Sequence, residues 1–85
     1  MESFDGKIAV VTGGGTGMGR ELVCQLISAG AHVATCDVIE ENLLETKALA
    51  EKKGTGQVTT HICDVSDEEQ QLRFRGEVAV QHGSE

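Results

Sequence analysis

The chemistry this chain offers starts with glycine. In KIAVVTGGGTGMGR, residues 7–20, a short β-rich apolar run gives way to a glycine cluster and then to a helical pattern. That order reads as strand, turn and helix start. Such a turn takes backbone angles that a Cβ forbids and lets a bulky ligand group reach the main chain. The helix beginning near Gly17 aims its first unpaired N–H groups into the same space. With about half a positive charge at the helix end, they form an anion site suited to a pyrophosphate. The spacing excludes two familiar phosphate loops. Arg20 and Glu21 follow Gly19 where a Walker loop needs Lys and then Ser or Thr, and Gly13, Gly15 and Gly17 each lack a glycine at one offset of GxGxxG. What is present is Thr12, Gly13, three residues, Gly17, one residue, Gly19.

Two acids complete the pattern. Asp37 ends a predicted strand 18 positions beyond Gly19, close to the roughly 20 expected for the acid that accepts from the hydroxyls of an adenosine ribose. Asp64 stands in a CDV sequence with Val65 at the end of another strand. Together with TGxxxGxG, these residues resemble the short-chain dehydrogenase/reductase (SDR) family in its common single-domain form, from Lys7 to about Gly83. The resemblance implies that Gly13, Thr16, Gly17, Met18 and Gly19 surround the pyrophosphate, Met18 through its backbone N–H. It also implies that the Asp64 side chain receives the adenine amino group and the Val65 backbone lines the base. A 2′-phosphate beside Asp37 would set like charges about 4 Å apart, repelling by roughly 1 to 4 kcal/mol per charge. NAD is therefore expected over NADP. The family agrees, because NADP-preferring members often carry a basic residue in the glycine turn, where this chain has Thr16. The competing readings are a solvated helix cap for Asp37 and a plain turn residue, leading into a Ser66 cap, for Asp64. Arg20 either shields phosphate charge or is an exposed helix arginine.

The elements that must position these residues alternate. The strand of residues 7–12 is followed by a helix over 17–29, with Met18, Leu22 and Leu26 on a sheet-packing stripe, Val23 and Ile27 beside it, and Gly30 as a left-handed stop. A second strand covers 32–37. A helix over 40–53 carries Glu40 and Glu41 at its positive start and Lys52 and Lys53 at its negative end. Leu43, Leu44, Ala48 and the stem of Lys47 face inward, and Gly54 ends the helix. The third strand, 58–64, places Val58, Thr60 and Ile62 on one face. Ser66 and Glu69 form a capping box for a last helix reaching His82, with Leu72, Phe74, Val78, Ala79 and Val80 as its apolar side and Gly83 as its stop. Phe4 is expected against the first strand. This order predicts an α/β, Rossmann-type parallel sheet in the order 3-2-1, one half of a doubly wound fold within a single domain. Both crossover helices share one face and the last helix returns across the other, leaving Val10 and Val11 at an open edge.

Composition bounds the rest. With 85 residues and a net charge of −7, seven Lys and Arg against fourteen Asp and Glu, the chain is one small domain with no basic patch for nucleic acid or anionic membrane. No apolar run approaches the roughly 20 residues of a membrane span, and no signal sequence is evident, so a cytoplasmic protein is expected. Cys24, Cys36 and Cys63 show neither disulfide nor zinc spacing. They read as buried hydrophobes, with Cys36 and Cys63 side by side as a conceivable redox pair. Histidines 32, 61 and 82 read as strand or helix-end residues.

By the resemblance, members of the family transfer hydride between a nicotinamide cofactor and an alcohol or carbonyl, using an Asn, a Ser, and a Tyr and Lys four apart. This chain has no tyrosine, and its two aromatics are Phe4 and Phe74. No catalytic residue and no metal ligand is assigned. The chain is expected to be the N-terminal, NAD-binding part of such an oxidoreductase, inactive alone. The alternative is a non-catalytic nucleotide-binding or oligomer-interfering module. An open first-strand edge invites pairing with another copy or a full-length homologue, and so small a domain buries only about 60–65% of its unfolded surface.

Overall fold

The alternation of β-branched runs and helical stretches is realised as three βα pairs. The computed structural model describes residues 6–82, with side chains through residue 79. The elements are β1 Ile8–Thr12, α1 Gly17–Ser28, β2 His32–Asp37, α2 Glu40–Glu51, β3 Val58–Ile62 and α3 Glu68–His82. The strands are parallel in the order β1-β2-β3, the predicted order read from its other edge. Ile8 lies opposite His32 and Thr12 opposite Cys36, while Val33 lies opposite Val58 and Asp37 opposite Ile62. Parallel pairing therefore brings the C-terminal ends of all three strands, with Thr12, Asp37 and Ile62, to one edge of the sheet.

Each face of the sheet has its own core. Val11, Val33 and Val58 from the strands meet Val23 and Ile27 of α1 and Ala50 of α2 on one side. On the other, Ala34, Cys36 and Cys63 pack under Phe74 of α3, with Val78 alongside. The placement of α1 and α2 on one face and α3 on the opposite one is as predicted. So is Gly30, whose φ of 99° lets the Gly30 N–H reach the Ile27 carbonyl and the Ala31 N–H reach the Leu26 carbonyl, a Schellman closure of α1.

The predicted apolar faces shift in the three helices. In α1 it is Val23 and Ile27 that are buried, whereas Met18 is 89% exposed and Leu22 is exposed, because they lie beside Val11 and Thr12 of the edge strand β1, whose free side no strand covers among the described residues. In α2, Leu43, Thr46 and Ala50 are buried, while Leu44 and Ala48 are exposed. In β3, Val58, Thr60 and Ile62 share one face as predicted, buried at Val58 and exposed at Ile62, while His61 and, just beyond the strand, Cys63 are buried on the opposite face. Leu72 and Ala79 of α3 are exposed while Phe74 is buried and Val78 half-buried, so α3 touches the sheet along a narrow stripe. Val11 is buried beneath α1, and only Val10 of the expected open-edge pair is exposed.

Helix ends differ too. α2 stops at Glu51, two residues earlier than predicted, so Lys52 caps it and no basic residue falls in its last turn. Gly54 is not left-handed. It is a glycine because α1 passes close, and a Cβ there would sit 2.5 Å from the Ile27 carbonyl oxygen. The cap of α3 is Asp67, not Ser66: Asp67 Oδ1 accepts from the N–H groups of Glu69 at 3.0 Å and Gln70 at 3.3 Å. The hydroxyl of Ser66 turns back to Asp64 instead. The expectations for Phe4, the side chains of Val80 and His82, and Gly83 lie outside the described residues.

Candidate functional site

The site is built from the glycine turn outward. Gly13 and Gly14 donate their N–H groups to the Cys36 carbonyl at 2.8 and 3.1 Å, which stitches the turn to the end of β2. Gly13 at φ 72° and Gly17 at φ 60° occupy the left-handed region, which side chains disfavour. Gly19 is required for a different reason. A Cβ there would stand 2.0 Å from the Gly13 carbonyl oxygen, so the spacing between these glycines lets the turn fold against the first turn of α1. At Gly14, Gly15 and Gly19 the close neighbours are therefore the chain's own Thr35, Asp37 and Gly13. Around Gly13 and Gly17 the added carbon would meet nothing within 4 Å.

The N-cap residue of α1 does not cap the helix with its side chain. Thr16 is extended, at φ −147° and ψ 169°, its side chain makes no capping hydrogen bond, and no acidic residue enters the first turn. Residues 16–18 are exposed. The leading N–H groups of a helix have no carbonyl partner within the helix, and here the N-cap side chain does not supply one.

Asp37 is brought to this turn. Its Oδ2 accepts from the Gly15 N–H at 2.9 Å and its Oδ1 from the Val38 N–H at 2.8 Å. It does not cap α2, whose N-cap is Ile39 with no side-chain capping bond. Asp64 and Val65 lie on the same sheet edge beyond β3, and both are exposed. One oxygen of Asp64, Oδ1, accepts from the Ser66 N–H at 3.0 Å and the Ser66 hydroxyl at 2.7 Å. Those bonds hold the carboxyl below its ordinary range, the hydroxyl contributing most. The Asp64 N–H donates to Gln70 Oε1 at 2.8 Å, and the Val65 carbonyl accepts from Gln71.

Two residues with roles at this site were not legible beforehand. Thr46, fully buried on α2, donates its hydroxyl to the Gly14 carbonyl at 2.8 Å. Arg20 neither lies free nor reaches for the open side of the turn: its Nε donates to Thr46 Oγ1 at 2.8 Å and its Nη2 to the Gly15 carbonyl at 2.6 Å. The available signal was the chain order alone, an arginine one residue after the last glycine.

A parallel sheet whose first strand leads through a glycine turn into a helix, with an acid at the end of the neighbouring strand, is a Rossmann-type α/β arrangement. The family model for short chain dehydrogenases matches residues 7–84. A tropinone reductase homolog of Arabidopsis thaliana is 44% identical over 72 residues, which are 85% of this chain and 26% of that protein. Among solved structures, levodione reductase superposes with a TM-score of 0.91 at 32% identity, covering 94% of this chain and 31% of that one. An SDR from Burkholderia phymatum in complex with NAD gives 0.88 at 31% identity, covering 98% and 29%. This chain belongs to the short-chain dehydrogenase/reductase family, an oxidoreductase family. It spans about a third or less of the length of the curated relatives it matches.

Proposed function

We propose that residues 1–85 are the N-terminal part of a single NAD(P)-binding Rossmann domain and hold the adenosine and pyrophosphate of NAD. The observation that carries this reading is the juxtaposition of the α1 N-terminus, uncapped by the Thr16 side chain, with the Asp37 carboxylate, joined through the Gly15 N–H. Gly13, Thr16, Gly17, Met18 and Gly19 would surround the phosphates, with Met18 acting through its backbone because its side chain points to solvent. Asp37 would take the ribose hydroxyls, and Asp64 and Val65 the adenine. A 2′-phosphate would meet the Asp37 charge at a cost of roughly 1 to 4 kcal/mol, which favours NAD over NADP. When bound, the cofactor supplies hydride exchange with an alcohol or carbonyl. This chain contributes the grip on its adenosine end. It has no tyrosine to exchange the accompanying proton, so the chain alone is not expected to turn over substrate.

The experiment is a titration of the 85-residue chain with NAD, NADP and AMP, followed by backbone amide shifts. NAD and AMP should move the amides of residues 13–19 and 37, and NADP should bind more weakly. Unmoved glycine-turn amides would overturn the reading, and equal binding of NADP would remove the role given to Asp37.

A second reading, a nucleotide-binding module that interferes with an oligomer, draws on the free edge of β1. There Val10, Met18 and Leu22 are exposed, and an unpaired apolar edge favours pairing with another copy or a full-length homologue. A sharp melting transition independent of concentration would remove it. A cytoplasmic setting belongs to both readings. It is supported by the three cysteines being free, and no described helix is long and apolar enough to cross a membrane.

A further inference from the structure

Behind the glycine turn, on the side away from its exposed residues, stands a polar bracket made of α1 and α2. Thr46 Oγ1 donates to the Gly14 carbonyl at 2.8 Å, with the Gly15 carbonyl at 3.2 Å, and accepts from Arg20 Nε at 2.8 Å. Arg20 Nη2 donates to the carbonyls of Gly15 at 2.6 Å and Asn42 at 3.1 Å and pairs with Glu45 Oε1 at 2.9 Å. Thr46 is fully buried and the Arg20 side chain is 23% exposed. Among the described residues no buried side-chain nitrogen or oxygen lacks a partner.

The bracket acts on the direction of the turn's amides. A peptide unit is planar and trans, so its C=O and N–H point to opposite sides. Tying the Gly14 carbonyl to Thr46 sends the Gly15 N–H the other way, where it meets Asp37 Oδ2 at 2.9 Å. Tying the Gly15 carbonyl to Arg20 sends the Thr16 N–H away from α2. We infer that Thr46 and Arg20 are positioning residues, which through the Gly14 and Gly15 carbonyls fix the Gly15 amide on Asp37 and turn the Thr16 amide outward toward the phosphates of a nucleotide, without touching it. This rests on the nucleotide reading above. The hydroxyl is the group the position calls for, because it donates to a carbonyl and accepts from a guanidinium at once. Valine has the same outline and does neither, whereas serine does both.

The test uses the full 85-residue chain as wild type, Thr46→Val and Thr46→Ser, with two probes: ADP, which carries the pyrophosphate, and adenosine, which does not. Amide hydrogen exchange of the unliganded proteins is the second readout. Thr46→Val should lower ADP affinity about tenfold and adenosine affinity by no more than about threefold. It should speed exchange at residues 15–19 while leaving β2 protected. Thr46→Ser should restore ADP binding and turn protection, and Arg20→Lys, which keeps the charge but not the fork, should resemble Thr46→Val. Undiminished ADP binding in Thr46→Val would overturn the inference. Equal losses for both probes, with faster exchange throughout the chain, would also overturn it, since that is the signature of a merely structural residue. A wild type that binds neither probe would instead bring down the nucleotide reading itself.

Discussion

The two faces of the sheet are assembled by different means. On the face covered by α1 and α2, branched aliphatic side chains from α1 and all three strands interlock with Ala50 of α2, and Val23, Ile27 and Val33 are sealed from solvent. On the face covered by α3, the apolar contact among the described residues is that of Phe74 and Val78 over Ala34, Cys36 and Cys63. A polar tie supplements it: the buried His61 ring lies 5.0 Å from Phe74 and contacts Glu77 Oε1 at 2.7 Å and Thr59 Oγ1 at 3.0 Å. The contrast teaches where stiffness is placed. The helices that flank the glycine turn are also the ones that make the main core, so the turn is anchored to the best-packed part of the molecule. α3 is a lightly held cover.

The largest expected effect tests that directly. Ile27→Ala should lose about 2 to 5 kcal/mol, a large share of the roughly 0.05–0.15 kcal/mol per residue that domains retain, and urea unfolding should show it as a global loss. Phe74→Ala should cost less than the about 3 kcal/mol at the low end for an enclosed phenylalanine, because its site can collapse, and amide exchange should rise in α3 while α1 and β2 stay protected. If both variants speed exchange in every element alike, the two faces are one cooperative unit and the comparison breaks.

A smaller effect reports whether the α3 face is dry. Burial, and then the neighbouring Cys63, pushes the Cys36 thiol from an ordinary 9.0 up to about 11. The folded chain therefore keeps that proton to higher pH than the unfolded chain does. The stability this contributes, on the order of 2 kcal/mol, is full below pH 9 and is lost as pH climbs through about 11. Cys36→Ala should flatten that alkaline decline in urea midpoints measured between these limits; an unchanged slope would mean that water reaches the thiol. The smallest effect is a gain. A Cβ at Gly76 would meet nothing within 4 Å, so Gly76→Ala should steady α3 by about 0.5 to 1 kcal/mol, seen as slower exchange confined to that helix.

The element order and the strand order were legible in the sequence because glycine and β-branched runs punctuate it locally. Which side of each helix is buried was less so. Periodicity places Met18 and Leu22 on a stripe as apolar as that of Val23 and Ile27, and what separates them is the position of β1 at the edge of the described sheet. Thr46 was missed because a hydroxyl is buried where carbonyls from another element happen to need a donor, and the Gly14 and Gly15 carbonyls are more than thirty residues away in the chain. The Ser66 cap failed by one residue, since Asp64 offered that hydroxyl a stronger, charged acceptor and Asp67 was free to cap α3.

The carboxylate of Asp37 grips Gly15 with one oxygen and Val38 with the other, and that double hold constrains how the protein could evolve or be redesigned. On the proposed ribose role of Asp37, swapping the acid for a basic or small residue to admit a different sugar would unhook the bend along with the charge. Retuning the pocket thus calls for a paired exchange, in which a second side chain arrives to catch the orphaned Gly15 amide.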